Sequence, residues 1–174
     1  METAIEMYSG VEENDCRTEY DLSKFSRPVG FGTVARFTRL QFVGKQRAKY
    51  FNCEYMKVKI SVFAHSPLTG CHIAFVVKNK SNTDKLLSGM SKEFNLHEGN
   101  NDILVEIPLE LLISDTYMLH VEVISFHENG ISYTYDNPFS SFLFVVEEKN
   151  GKYIWPKKYY GNIRVNDVAA QWDN

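Results

Sequence analysis

Residues Pro108 to Val123 read P-L-E-L-L-I-S-D-T-Y-M-L-H-V-E-V, and the fold turns on how this stretch divides. An apolar run of Leu109, Leu111, Leu112 and Ile113 ends at Ser114-Asp115, a pair suited to a turn. From Thr116 the pattern alternates: Tyr117, Leu119, Val121 and Val123 fall on one side, Met118, His120, Glu122 and Ile124 on the other. A two-residue period describes a strand with one buried face and one freer face. An Asp-x-Tyr at the head of such a strand marks the corner where a β-sandwich chain passes between sheets, the tyrosine hydroxyl holding upstream backbone. The simpler alternative makes Tyr117 only a large core residue. The leucine run, placed where a sheet-to-sheet crossing belongs, favours the corner.

At 174 residues the chain is long enough for one domain with its own core. Ten Tyr, twelve Phe and two Trp make it aromatic-rich, and aromatics favour strands and line sugar and protein interfaces. A net charge of -3 argues against nucleic acid as a partner, since phosphate backbones need clustered positive charge. Lys57, Lys59, Lys78 and Lys80 are scattered and read first as solvated strand faces. Cys16, Cys53 and Cys71 cannot all pair within one chain, and no Cys-x-x-Cys supports a zinc or redox motif. Glu2, Glu6 and Glu12 interrupt any signal-peptide pattern. No apolar run approaches the roughly 20 residues that span a bilayer. A cytoplasmic location is therefore expected.

Residues 1–26 are acidic and polar without a sustained period, and are expected to be a flexible leader or linker remnant. The folded domain is expected over 27–174. Strands are predicted at Val34 to Val43, Tyr55 to Ala64 and Cys71 to Lys78, the last apolar on both faces and hence central. Further strands are expected near Lys85 to Leu87, Asp102 to Ile107, 131–136 and Ser141 to Glu148, with a brief one around Ile163 to Val165. Asn129-Gly130 signals a tight hairpin, and Asn150-Gly151 a second turn. About eight or nine short strands with turn signals between them, and no sustained helical period, predict an all-β sandwich.

Signals for chemistry are weak. Gly30-Phe31-Gly32 lacks the Gly-Lys-Ser/Thr of a phosphate loop. His97-Glu98 and His127-Glu128 are followed at the required position by Asn101 and Ile131, not by the second histidine of a zinc protease, and both lie in turns. No Gly-x-Ser-x-Gly elbow occurs. Asn101-Asp102 and Asp136-Asn137 could join a calcium site, but turn chemistry explains them more simply. The expectation is a protein that is not an enzyme, with no metal and no cofactor. What remains is surface. His72, Lys78, His120, Glu122, Tyr133 and Tyr135 become neighbours if the third strand, the opening strand and the hairpin arm share a sheet. Rings beside hydrogen-bonding side chains suit sugars, whose C–H faces stack while their hydroxyls take polar partners. Tyr133 and Tyr135 read equally as ordinary strand formers on a half-exposed arm.

In order along Gly30 to Trp172, the chain resembles the C-terminal carbohydrate-binding domain of Wzt-type ATP-binding proteins, from ABC transporters that export O-antigen polysaccharide. The resemblance is carried by G-F-G-T-V-A-R-F-T-R-L-Q-F from Gly30, C-E-Y-M-K-V-K-I-S-V-F-A from Cys53 and C-H-I-A-F-V-V-K-N from Cys71. I-P-L-E-L-L-I-S-D-T-Y-M-L-H-V-E-V from Ile107, then F-L-F-V-V-E from Phe142 with a later glycine and Trp172, complete it. It implies an immunoglobulin-like antiparallel β-sandwich binding the non-reducing end of a bacterial surface polysaccharide and coupling recognition to export. It also implies a homodimer, in some members by exchange of the C-terminal strand, working with transporter nucleotide-binding and membrane subunits. Independently, Trp155, Tyr159, Tyr160 and Trp172 have little local partner, so the segment after Gly151 is expected to pack on or swap with a second copy. Two departures stand out. Ser114-Asp115 occupies a position often Pro-Gly in the family, and no Walker lysine occurs, so this chain is not expected to hydrolyse ATP. Family contacts vary with the glycan, so the six candidate residues rest on strand faces alone. The alternative is an interaction module with no glycan site.

Overall fold

Alternation in the sequence becomes strands in two packed sheets in the computed structural model, which describes residues 16–149 together with Gly161, Ile163 and Arg164. The strands are β1 (Glu19–Asp21), β2 (Ala35–Phe42), β3 (Lys49–Phe51), β4 (Tyr55–Ala64), β5 (Leu68–Asn79) and β6 (Lys85–Met90). They continue with β7 (Phe94–Leu96), β8 (Gly99–Pro108), β9 (Asp115–Phe126), β10 (Ser132–Asp136) and β11 (Phe142–Glu147), with no helix among the described residues. The smaller sheet has the order β1-β2-β4-β8; the larger runs β3-β11-β9-β5-β6, with β10 also on β9 and β7 also on β5. This is the expected all-β sandwich. Its described strand pairs are antiparallel except β3 with β11, which run parallel.

The inward set of each long strand makes the core. Met56, Val58, Ile60 and Val62 of β4 face Ile73 and Val77 of β5 and Tyr117, Leu119, Val121 and Val123 of β9, all at most 2% exposed. Each large apolar side chain so buried stabilises the fold by roughly 1.5–3 kcal/mol. Cys71 is fully buried among them. β5 is central as expected, flanked by β9 on one side and by β6 and β7 on the other.

Pro108 to Val123 divides as its pattern requires. β8 belongs to the smaller sheet and β9 to the larger, so the leucine run crosses between sheets. The Tyr117 hydroxyl donates to the Ile113 carbonyl at 2.7 Å, making the corner. Burial pushes the Tyr117 phenol well above its ordinary range, so it remains a protonated donor.

A second tie joins the sheets. Asp136 of β10 accepts from Arg27 Nε at 2.7 Å and Nη2 at 3.1 Å, and from the backbone N–H of Phe37 in β2 at 2.8 Å. Both side chains of the ion pair are buried, 2% and 0% exposed. Gly32 holds a φ of +70°, and a Cβ there would lie 3.2 Å from Asp136 Oδ1, so its glycine admits the carboxylate.

Residues 16–26 correct the expected leader. β1 pairs with β2, Leu22 is fully buried, and Tyr20 packs edge-on against Phe142 with centroids 4.9 Å apart. β1, β3 and β7 each have three residues, too few to display a period, and were not legible in the sequence. Toward the end of the chain, Ile163 bridges Leu112, and Arg164 bonds the Leu111 carbonyl and Glu148. Val165, the Asn150-Gly151 turn and the aromatic residues Trp155, Tyr159, Tyr160 and Trp172 lie outside the described residues.

Candidate functional site

The register of β5 against β9 sets His72 opposite Ile124, Ala74 opposite Glu122, Val76 opposite His120 and Lys78 opposite Met118. Cross-strand partners share a face. Ile73, Val77, Leu119, Val121 and Val123 fill the core, so His72, Lys78, His120 and Glu122 stand together on the outer face of the larger sheet. From His72 to Lys78 the row is about 20 Å long at ~3.4 Å per residue. Four of the six sequence candidates are thus brought onto one strip.

The polar groups of this strip are oriented. His72 Nδ1 lies 3.0 Å from the Ser91 carbonyl, which can only accept, so Nδ1 carries a proton and Nε2 is left toward solvent. His120 Nε2 lies 3.1 Å from Ser141 Oγ. Burial, with Lys78 nearby, pushes the His120 imidazolium below its ordinary pKa, so the ring is neutral at pH 7 and can both donate and accept. Glu122 accepts from Asn137 Nδ2 at 2.8 Å, which leaves a second carboxylate oxygen available.

Tyr133 and Tyr135 do not join them. The Asn129-Gly130 hairpin pairs Tyr133 with Ser125, and Ser125 pairs in turn with buried Cys71. That parity is the core side's, but Tyr133 stands beyond the core at the hairpin end and is 42% exposed. Tyr135 follows, its hydroxyl accepting from Ser125 Oγ at 3.1 Å and its ring packing on the core. The two rings meet edge-to-face at 5.0 Å. Because a one-residue change of parity moves a side chain to the other face, the hairpin register decides the matter.

The outer face does carry a ring: Phe126, 46% exposed, whose centroid lies 5.6 Å from that of His72. One more step of the 118-120-122-124 alternation would have found it. Ser141 and Asn137 had no such signal, since both lie outside regular strands and reach the face through the bend after β10.

Elsewhere, the two His-Glu pairs lie in turns closed by hydrogen bonds from the histidine backbone N–H. The backbone N–H of His97 donates to Asn101 Oδ1, and that of His127 closes the hairpin on Ile131. Asp102 is held by Lys59 at 2.8 Å and by Ser61, and Asp136 by Arg27. A groove of about 840 Å³ with mixed lining runs along the flank, with Phe75, Phe94 and Ile103 beside Lys92, Glu93 and Glu106. It follows β8, which pairs only with β4 among the described strands.

The chain matches a solved structure described as the C-terminal domain of wzt, with a TM-score of 0.61 and 13% sequence identity over 79% of this chain and 84% of that one. At this identity the likeness is one of fold. No protein-family model matches the sequence, and no curated protein does.

Proposed function

We propose that the chain is a non-catalytic carbohydrate-binding sandwich whose outer face on the larger sheet recognises the non-reducing end of a bacterial O-antigen polysaccharide. The observation that carries the reading is the strip itself. His72, His120 and Glu122 are half-buried, each fixed through one polar atom and open at another, beside the exposed ring of Phe126. Such a surface offers both hydrogen-bond senses and a stacking platform, which suits polyhydroxylated ligands. The fold likeness supports the same class, as does the ordered resemblance from Gly30 to Trp172. On this reading the protein works in the cytoplasm as a homodimer beside the nucleotide-binding and membrane subunits of an exporter, residues 27–174 with the strand at 19–21 forming the binding domain. No helix among the described residues is long and apolar enough to cross a membrane. Calorimetric titration with O-polysaccharide whose native chain ends are intact tests it. Saturable binding that is lost when the non-reducing ends are trimmed is expected; no binding to any end-intact polysaccharide overturns it.

A second reading has its own observation. The ten-residue edge of β8, which has no second partner among the described strands and carries Leu104 57% exposed beside the groove, is a surface on which an extended peptide could add a strand. Capture of an extended peptide or protein that is abolished by changes at β8, with no binding of end-intact polysaccharide, would favour it.

A further inference from the structure

We propose that the Lys78 end of the outer face is an anion subsite, taking a carboxylate or phosphate group carried by the glycan. The inference rests on the glycan reading above and narrows its ligand. Lys78 and Lys85 are direct cross-strand partners on β5 and β6, and like charges set opposite one another are unfavourable unless a counter-charge intervenes. Other strand lysines have one: Lys49 meets Glu147 at 2.8 Å, Lys57 meets Glu106 at 3.0 Å and Lys59 meets Asp102 at 2.8 Å. Lys78 and Lys85 make no ion pair or hydrogen bond among the described residues.

The neighbouring acids bond amide donors, and none forms an ion pair with either lysine among the described residues. Asp84 accepts from Asn82, Asp115 from Asn79, and Glu122, farther along the strip, from Asn137. One residue row away stand neutral donors: Ser88, which shares Val76 as a cross-strand neighbour with His120, and Ser141 against His120 itself. A half-buried lysine set opposite a second one, with hydroxyl groups and an imidazole on one flank, is a complement for a compact anion. Lys78, half-buried at mid-sheet, is the anchor, and the more exposed Lys85 completes the pair.

A panel of end-intact bacterial surface polysaccharide fragments, with neutral, uronate-bearing and phosphorylated members, is the probe, titrated against the full chain and its Lys78→Met/Lys85→Met variant. The strongest binders are expected to be acidic. Reducing their carboxyl groups, or removing their phosphates, should weaken binding to the wild type at least tenfold, and whichever treatment does so identifies the group. The double variant should bind native and treated fragments alike, with a melting temperature equal to or above the wild type because a repulsion has been removed. Preferential binding of neutral fragments, or equal binding of native and treated ones by the wild type, overturns the subsite and leaves glycan binding standing. A variant that melts well below the wild type assigns the lysines to the scaffold and also overturns it. Binding of no fragment at all overturns both readings together.

Discussion

Tyr50 and Tyr117 lie in the same core, 2% and 0% exposed, and both rings contact Phe144. Their hydroxyls differ. Tyr117 donates to the Ile113 carbonyl at 2.7 Å, whereas the buried Tyr50 hydroxyl has no hydrogen-bond partner among the described residues. A buried acceptor stripped of its donor costs about 1–3 kcal/mol, so Tyr117→Phe should lower unfolding stability by that amount. Tyr50→Phe deletes a desolvated, unpartnered group and keeps the ring that Lys45 Nζ faces from 5.1 Å; it should leave stability unchanged or raise it by roughly 1 kcal/mol. Urea unfolding of the two variants checks the pair. Equal losses from both would contradict the roles assigned here. The sequence distinguished Tyr117 because its hydroxyl partner is local, four residues upstream. Tyr50 sits on a three-residue strand whose neighbours come from distant segments, and no local pattern could flag it.

At the scale of elements, β10 is more than a hairpin arm. Its Asp136 reaches the other sheet through the Phe37 N–H and holds the buried Arg27 guanidinium, so the entry segment, β2 and β10 close one end of the sandwich together. Asp136→Ala leaves a buried cation without a counter-charge and a backbone N–H without an acceptor. Removing one member of a buried ion pair costs about 3–5 kcal/mol, a large share of the ~5–15 kcal/mol that a domain usually has. The denaturant midpoint should fall accordingly with little change in slope, and a shift under ~1 kcal/mol would show that the tie is dispensable. None of this was legible from Asp136-Asn137 as a sequence pair, which read as turn or calcium chemistry. The partners are 109 and 99 residues away, and only the pairing of the strands brings them together.

At the scale of the molecule, the long alternating strands and their core sets could be read directly. The side of the larger sheet on which each candidate stands could be read only for residues within one strand's period. His120 and Glu122 kept their face because β9 runs without a break through both. His72 and Lys78 kept theirs because β5 pairs with β9 in continuous register. Tyr133 and Tyr135 take the opposite parity because a hairpin turn and a bulge after Thr134 intervene, and alternation cannot be carried across either. The sheet therefore separates the six candidates into four on the outer strip and two tyrosines of the opposite parity, and this yields the last prediction. Tyr133→Ala/Tyr135→Ala removes the Tyr135 ring from the core edge and the exposed Tyr133 ring from the side opposite the strip, so it should lower the melting temperature while leaving glycan affinity within about twofold. His120→Gln/Glu122→Gln keeps the volume of the outer strip and changes its hydrogen-bonding capacity. It should weaken binding about tenfold, some 1.4 kcal/mol, with the melting temperature nearly held. Titration calorimetry and thermal unfolding on the same preparations separate the two effects. If the folded tyrosine variant loses glycan binding while the outer-face variant retains it, the ligand lies on the opposite side of the sheet from the strip.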